Sequence, residues 1–350
     1  MIPNSRRGQT ESSFQWIFVL VAGIALLLLL LGFARSCTTA GDAAVRQGDA
    51  QAAASRLSSV AWEGNAKQEI SLPDATIACR AGTISVEMEA ARATLDRVPI
   101  YLPPTVGGDA TVVTRAIALG ERTPAPFPLG GVAFVLDDRT VYFLVDDAAG
   151  AGTALWDTLP SSPSLVRITV ADLNRASTLD IPGSPRTIVF AIVGEEASLA
   201  NVDISGLPGG VEVRGVALKP DSSTGGRATF YTSDGETLVA GTSIIPYAHE
   251  TMALGMVIAA DREVAWCATT AFALRARMLV RIAEMRATML SSHQDTVCGA
   301  TLGEAATLLR GMRTPPGDAA FLSGLFASER AILVLQNTLL SRPGSCPGVA

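Results

Sequence analysis

Between Phe14 and Ala34 the chain reads FQWIFVLVAGIALLLLLLGFA, and only Gln15, near one end, is strongly polar. Wound as an α-helix at about 1.5 Å per residue, this run is roughly 30 Å long, the thickness of a bilayer's hydrocarbon core. The uninterrupted leucines from Leu26 to Leu31 leave no polar face of the kind a half-buried globular helix shows, and Trp16 falls where an interfacial aromatic belongs. The run therefore predicts a transmembrane helix over 14–34. A cleaved secretory signal peptide has a shorter apolar core, roughly 7–15 residues, and here Arg35 interrupts the small residues ahead of Cys37, so a retained anchor is expected. Arg6 and Arg7 precede the run, whereas Arg35 is the one positive charge after it until Arg46. By the positive-inside rule residues 1–13 form a cytoplasmic tail and the remainder lies outside the cell membrane.

The rest of the composition narrows the choice further. Charged residues make up 17% of the chain, against about 25% in soluble domains, and the mean hydropathy is +0.33. So apolar a chain is not disordered in its main state. Its 350 residues allow one large domain or two ordinary ones. A formal charge of −6 without a basic cluster excludes a nucleic-acid partner. Arginine supplies nearly all the basic charge, Lys67 and Lys219 being the lysines, which reflects a GC-rich genome rather than a site.

Beyond the span, residues 35–67 read as a stalk or first helix, with Asp42 as N-cap and Ala44, Val45, Ala52, Leu57, Val60 and Ala61 on one stripe. Residues 68–247 read as a mixed β and α/β region. Short alternating runs at Glu69–Leu72, Ala75–Ala78, Thr83–Met88 and Thr111–Thr114 predict antiparallel strands. Continuous apolar runs at Val132–Leu136, Val141–Val145, Leu165–Val170, Thr187–Val193, Val211–Leu218 and Ala228–Thr232 suit strands covered on both faces. The first two of these runs, joined by Asp137–Thr140, read as a hairpin. A helix near Gly152–Leu159 between Val145 and Leu165 makes a βαβ unit. Residues 248–350 read as an antiparallel helical module. Asp261 caps a helix to about Leu290, whose stripe of Val264, Cys267, Ala271, Leu274, Met278, Ile282, Met285 and Met289 is expected to face the core, with Arg275, Arg277, Arg281 and Arg286 largely off it. Thr301–Met312 and Asp318–Leu340 follow as two more helices. The fold class is α/β with a mixed sheet, preceded by the membrane helix and closed by the helical module.

Chemistry is sparse. Asp146 and Asp147 end a strand before Gly150 and Gly152, where carboxylates can hold Mg²⁺ at the mouth of an α/β sheet, but Leu155 stands where a dinucleotide motif needs glycine and no P-loop lysine is present. An ordinary acidic loop explains them as well. No Gly-x-Ser-x-Gly nucleophile elbow exists. His249, beside Glu250, reads as structural at a helix start, and His293 as a helix-end or loop residue. Thr224–Gly226 and Ser205–Gly210 read as turns. No catalytic group, cofactor or metal is expected. The cysteines at 37, 79, 267, 298 and 346 have no metal-ligand spacing; outside the cell disulfides are allowed, with Cys79, Cys267, Cys298 and Cys346 the candidates and Cys346 expected with Cys298 or Cys267, buried free thiols being the alternative.

Two resemblances add to this. Arg6-Arg7-Gly8-Gln9-Thr10-Glu11 before an apolar run resembles the archaeal class III signal peptide of type IV pilin-like proteins, with Glu11 earlier than in that family and Ser13 in its usual place. The resemblance implies cleavage between Gly8 and Gln9. The runs SSFQWIFVLVAG and PIYLPP, the LGG before two apolar strands, Trp266-Cys267, Asn337-Thr-Leu-Leu and Ser345-Cys346-Pro347 together resemble a group of uncharacterised archaeal single-pass membrane proteins. That resemblance implies topology and no chemistry. The expected role is a membrane-anchored structural or assembly subunit of the cell envelope with the bilayer and other proteins as partners. A ligand-binding surface receptor, or a membrane-tethered hydrolase or nucleotide-binding enzyme, is the alternative.

Overall fold

The computed structural model describes residues 7–63, 67–80, 82–88, 91–104, 110–122, 131–146, 150, 152–159, 162–221, 225–247, 249–292, 296–312, 321, 322 and 324. It begins with one unbroken helix, α1 (Arg7–Glu63), which carries both the apolar run and the stalk. From Val19 to Phe33 its large side chains are bare, between 52 and 71% exposed. A core helix would be buried there, so this is a helix long and apolar enough to cross a membrane.

Burial starts at Ala50 and recurs at Ala53, Ala54, Leu57, Val60 and Ala61, a helical stripe packed on the first sheet. Ala44, Val45 and Ala52, expected on that stripe, are exposed. Alanine carries too weak a signal to fix a helix face by itself.

The first sheet has the order β3-β2-β1-β5-β6-β4. Its strands are β1 (Lys67–Arg80), β2 (Thr83–Met88), β3 (Ala91–Asp96), β4 (Ile100–Tyr101), β5 (Ala110–Arg122) and β6 (Gly131–Asp137). All pairings are antiparallel except β4 with β6. The two short runs Glu69–Leu72 and Ala75–Ala78 are one strand, β1, with a register shift between Ser71 and Ala75.

The second sheet has the order β12-β11-β10-β9-β7-β8. Here β7 (Thr140–Asp146), β8 (Leu165–Thr169), β9 (Thr187–Val193) and β10 (Glu212–Pro220) are parallel, and β11 (Gly226–Ser233) and β12 (Leu238–Tyr247) finish antiparallel. Short α2 (Thr153–Asp157) joins β7 to β8 as the expected βαβ unit, and α3 (Val170–Leu173) follows β8.

The expected hairpin between β6 and β7 does not form. Each strand lies in a different sheet, and Asp138-Arg139 carries the chain across. Two-residue hairpins use turns with positive φ, and neither residue has one. Both strands bury both faces: Val132, Phe134 and Leu136 face the central core while Ala133 and Val135 face α1, and Tyr142 and Leu144 face the centre while Val141, Phe143 and Val145 face the outer side. That two-sided burial is why their runs are continuously apolar. Asp137, buried at this crossing, accepts from Thr140, and burial raises its pKa.

The helices α4 (Glu250–Ala259) and α5 (Arg262–Ser291) pack against strands of both sheets, and α6 (Thr296–Met312) packs on α5 in the same core. The helix expected over 318–340 lies outside the described residues except for 321, 322 and 324, where Phe321 and Leu322 are buried in the same core. α4 is buried from Thr251 to Ala259, and its Gly255 makes room for a neighbour: a Cβ there would collide with the ring of Tyr101. Tyr101 in turn reaches Thr269 through its hydroxyl at 3.3 Å, and burial pushes its pKa up to about 12.

α5 starts as predicted, with Asp261 accepting from the Glu263 and Val264 N–H groups. Arg214 of β10, which pairs with Glu212, also pairs with this cap. The core side of α5, however, is Ala265, Ala268, Phe272, Ala276, Val280, Ala283 and Ala287, which shares a cluster with Leu302, Ala305, Ala306 and Leu309 of α6. The expected stripe is real, but only its first part is covered. Cys267 and Ala271 are buried, while Met278, Ile282, Met285 and Met289 are 38, 49, 52 and 65% exposed. The cause is length: at about 45 Å, a helix of this size overhangs the turn it packs on. That turn is Gly82, φ +80°, whose missing side chain lets it lie against Ala271 and Leu274.

Two contacts tie α5 to the first sheet and to α1. Cys79 of β1 and Cys267 form a disulfide, with Cα atoms 5.8 Å apart. Arg275, expected off the core, is 1% exposed, its guanidinium 3.4 Å over the Trp62 ring and its Nη1 donating to the Gly131 carbonyl at 3.4 Å.

Candidate functional site

Three places in this fold bear on function. The first is the carboxyl end of β7. The chain leaves β7 through α2 to β8 on one side and returns to β9 on the other, so β7 and β9 flank the switch point where open α/β sheets hold ligands. Leu155 and Trp156 of α2 cover one face, and Ala197, Leu199 and Ile204 after β9 cover the other. Asp146 sits at this mouth, half-buried, with the Thr153 hydroxyl donating to it at 3.4 Å. Asp147 lies outside the described residues. Trp156 fills the space under the loop, its indole N–H donating to the Val145 carbonyl at 3.3 Å, and a Cβ at Gly152 would run into its ring. The glycine therefore serves packing, not close approach to a phosphate. Glu195 and Glu196, exposed after β9, add negative charge, and the described residues contain no group of three His, Cys, Asp or Glu side chains that could hold a metal ion. Among these described residues, the mouth has no cation for a phosphate.

The second place is His249, the N-cap of α4. Its Nδ1 accepts from the Thr251 N–H at 3.1 Å, so the ring must be neutral at that nitrogen to cap the helix. Burial lowers the His249 pKa, against a smaller upward pull from Glu250. A histidine harder to protonate when folded costs nothing above its unfolded pKa of about 6.5, and stability falls as pH drops below that value. Thermal unfolding followed from pH 7.5 to 5 should show this loss as a falling midpoint, and His249→Asn, which caps at any pH, should flatten it. An unaltered profile in that variant would remove His249 as the cause. Asp146 and His249 belong to different elements, and no hydrogen bond joins them among the described residues. His293 lies outside the described residues.

The third place was not anticipated. Along the bare part of α5, a cavity of about 490 Å³ is lined by Arg97, Arg277, Met278 and Arg281. Arg97 comes from the turn after β3, where it adopts φ +59° and its N–H donates to the Gly82 carbonyl. Its guanidinium reaches the Met278 sulfur at 3.4 Å, while Arg277 lies 4.9 Å over the Phe321 ring. Among the described residues neither Arg97 nor Arg281 has an ion-pair partner. The one cue in the sequence was the methionine spacing on α5; Arg97 is 181 positions from its contact and could not be foreseen.

Of the cysteine candidates, Cys79 and Cys267 are paired and Cys298 is also disulfide-bonded. This rules out Cys267 with Cys346; Cys346 itself lies outside the described residues. Comparison with protein families, with curated proteins and with solved structures returns no match for the chain.

Proposed function

We propose that this chain is a single-pass, membrane-anchored interaction or assembly subunit of a cell envelope, with its amino terminus in the cytoplasm and its folded part outside. The observation that carries the reading is α1: one helix whose first part is apolar and bare and whose last turns pack on a β-sheet. Such a helix is satisfied by burial in lipid or against other apolar helices, which supports the membrane-anchored part of the reading. The oxidised state of Cys79, Cys267 and Cys298 suits an extracytoplasmic compartment.

A pilin-like form of this reading rests on the resemblance of Arg6-Arg7-Gly8-Gln9 ahead of the apolar run to a class III signal peptide. Cleavage there would leave the whole run on the mature chain. The test combines native gel analysis after mild detergent extraction with intact-mass measurement. The chain is expected to migrate as a complex larger than one copy in its micelle; migration as a lone copy would overturn the interaction reading. Mass loss ending at Gly8 would establish the pilin-like form, and retention of Met1 would remove it.

A further inference from the structure

Building on the interaction-subunit reading, we infer that the bare face of α5 is a docking groove for an acidic amphipathic helix of a partner protein. Leu274, Met278, Ile282, Met285 and Met289 recur at three- and four-residue steps and are 38, 38, 49, 52 and 65% exposed. The stripe is about 22 Å long, the length of about 15 helical residues. Methionine and isoleucine in one exposed row are costly in water and adapt readily to a partner's side chains.

Charge selects the partner. Arg281 stands beside the stripe, Arg277 and Arg97 converge on the cavity around Met278, and the carboxylate on this stretch of the helix, Glu284, is turned inward to Arg310 at 3.0 Å. The face is therefore cationic on a chain whose formal charge is −6. A second copy docked face to face would oppose arginine with arginine. A lipid surface is disfavoured by the exposed helix between Ala34 and Gln47, where packing on Arg92 begins; that is about 20 Å of helix holding the folded part off a bilayer. An acidic helix meets both demands, with leucine-like anchors in the Met row and carboxylates on the arginines.

The probe is a synthetic helix of about 15 residues with leucines at i, i+3 or i+4, and i+7 and glutamates elsewhere, added to the full chain in neutral detergent micelles. Fluorescence anisotropy should show salt-sensitive binding, weakened about tenfold or more by Arg281→Glu and by Met285→Ser. Both positions are solvent-facing, so the variants keep the fold, and unchanged circular dichroism checks that. A lysine version of the peptide should not bind. Equal binding of both peptides, or indifference to both substitutions, overturns the inference. So does loss of self-association in Met285→Ser by sedimentation, which would make the occupant a second copy, or Arg281-dependent binding to anionic vesicles in place of the peptide. If the native complex survives Arg281→Glu with Met285→Ser, the groove fails while the interaction reading stands; if wild-type chain migrates alone, that reading fails too.

Discussion

Replacing Cys79 and Cys267 together with alanine is expected to lower the unfolding free energy by about 3–5 kcal/mol, among the largest effects any pair of substitutions will produce here. The bridge joins residues 188 positions apart, so the reduced, unfolded chain gains the freedom of a very long loop. It also fixes α5 to the first sheet at the point where the Gly82 turn meets the helix, with the Gly82 N–H 3.4 Å from the Cys267 sulfur. Urea titrations of the wild-type chain and the double variant in micelles, both without reductant so that the Cys298 bridge stays intact, measure the effect. Coincident midpoints would show that packing alone holds α5 in place.

Trp62→Ala is expected to cost about 1–2 kcal/mol. Arg275 is a charge taken almost wholly out of water, and burial pulls its pKa down to about 10. Its Nε and Nη2 make no hydrogen bond, and its Nη1 makes only a long one. The face of the Trp62 ring is therefore its main compensation; Trp62 is itself 49% exposed, so removing it forfeits the cation–π contact and opens Arg275 to water. Arg275→Met removes the charge as well as the contact and should be neutral or mildly stabilising, because apolar replacements of buried ions often are. A double-mutant cycle decides the matter: Trp62→Ala should cost far less in the Arg275→Met background. Simple additivity of the two changes would mean that the ring and the guanidinium are neighbours without being energetically coupled.

Much of the architecture is legible from residue pattern, and the failures have physical causes. The runs in β6, β7 and β9 announced strands buried on both faces, and Asp261 announced the start of α5. What pattern could not supply was which sheet each strand joins, since that turns on the backbone of Asp138-Arg139. α4 was read only as a helix start at His249, without an extent, because a helix buried on every side has no period to detect. β12 escaped notice because its exposed Val239 and Ile244 and its Pro246 blur the alternation of an edge strand. Arg275 was placed outside because a charge is ordinarily kept in water, and nothing in its neighbours announces Trp62. Of the candidate sites, Asp146 was found at a strand end as read, and the cap role of His249 agrees with its place at a helix start. The α5 groove was misread as core, since a periodic stripe looks the same whether or not another element is long enough to cover it.

The continuity of α1 has a mechanical consequence. A flexible tether would let the folded part tumble above its anchor, whereas an unbroken helix behaves as a shaft. With α1 seated in a bilayer as proposed, each residue added between Arg35 and Arg46 would lift the folded part by about 1.5 Å and turn it by about 100° around the shaft. Direction, as well as distance, is thus encoded in the number of residues in this stretch. A change of seven residues would bring the α5 face back to nearly the same bearing, and a change of two would turn it to the far side.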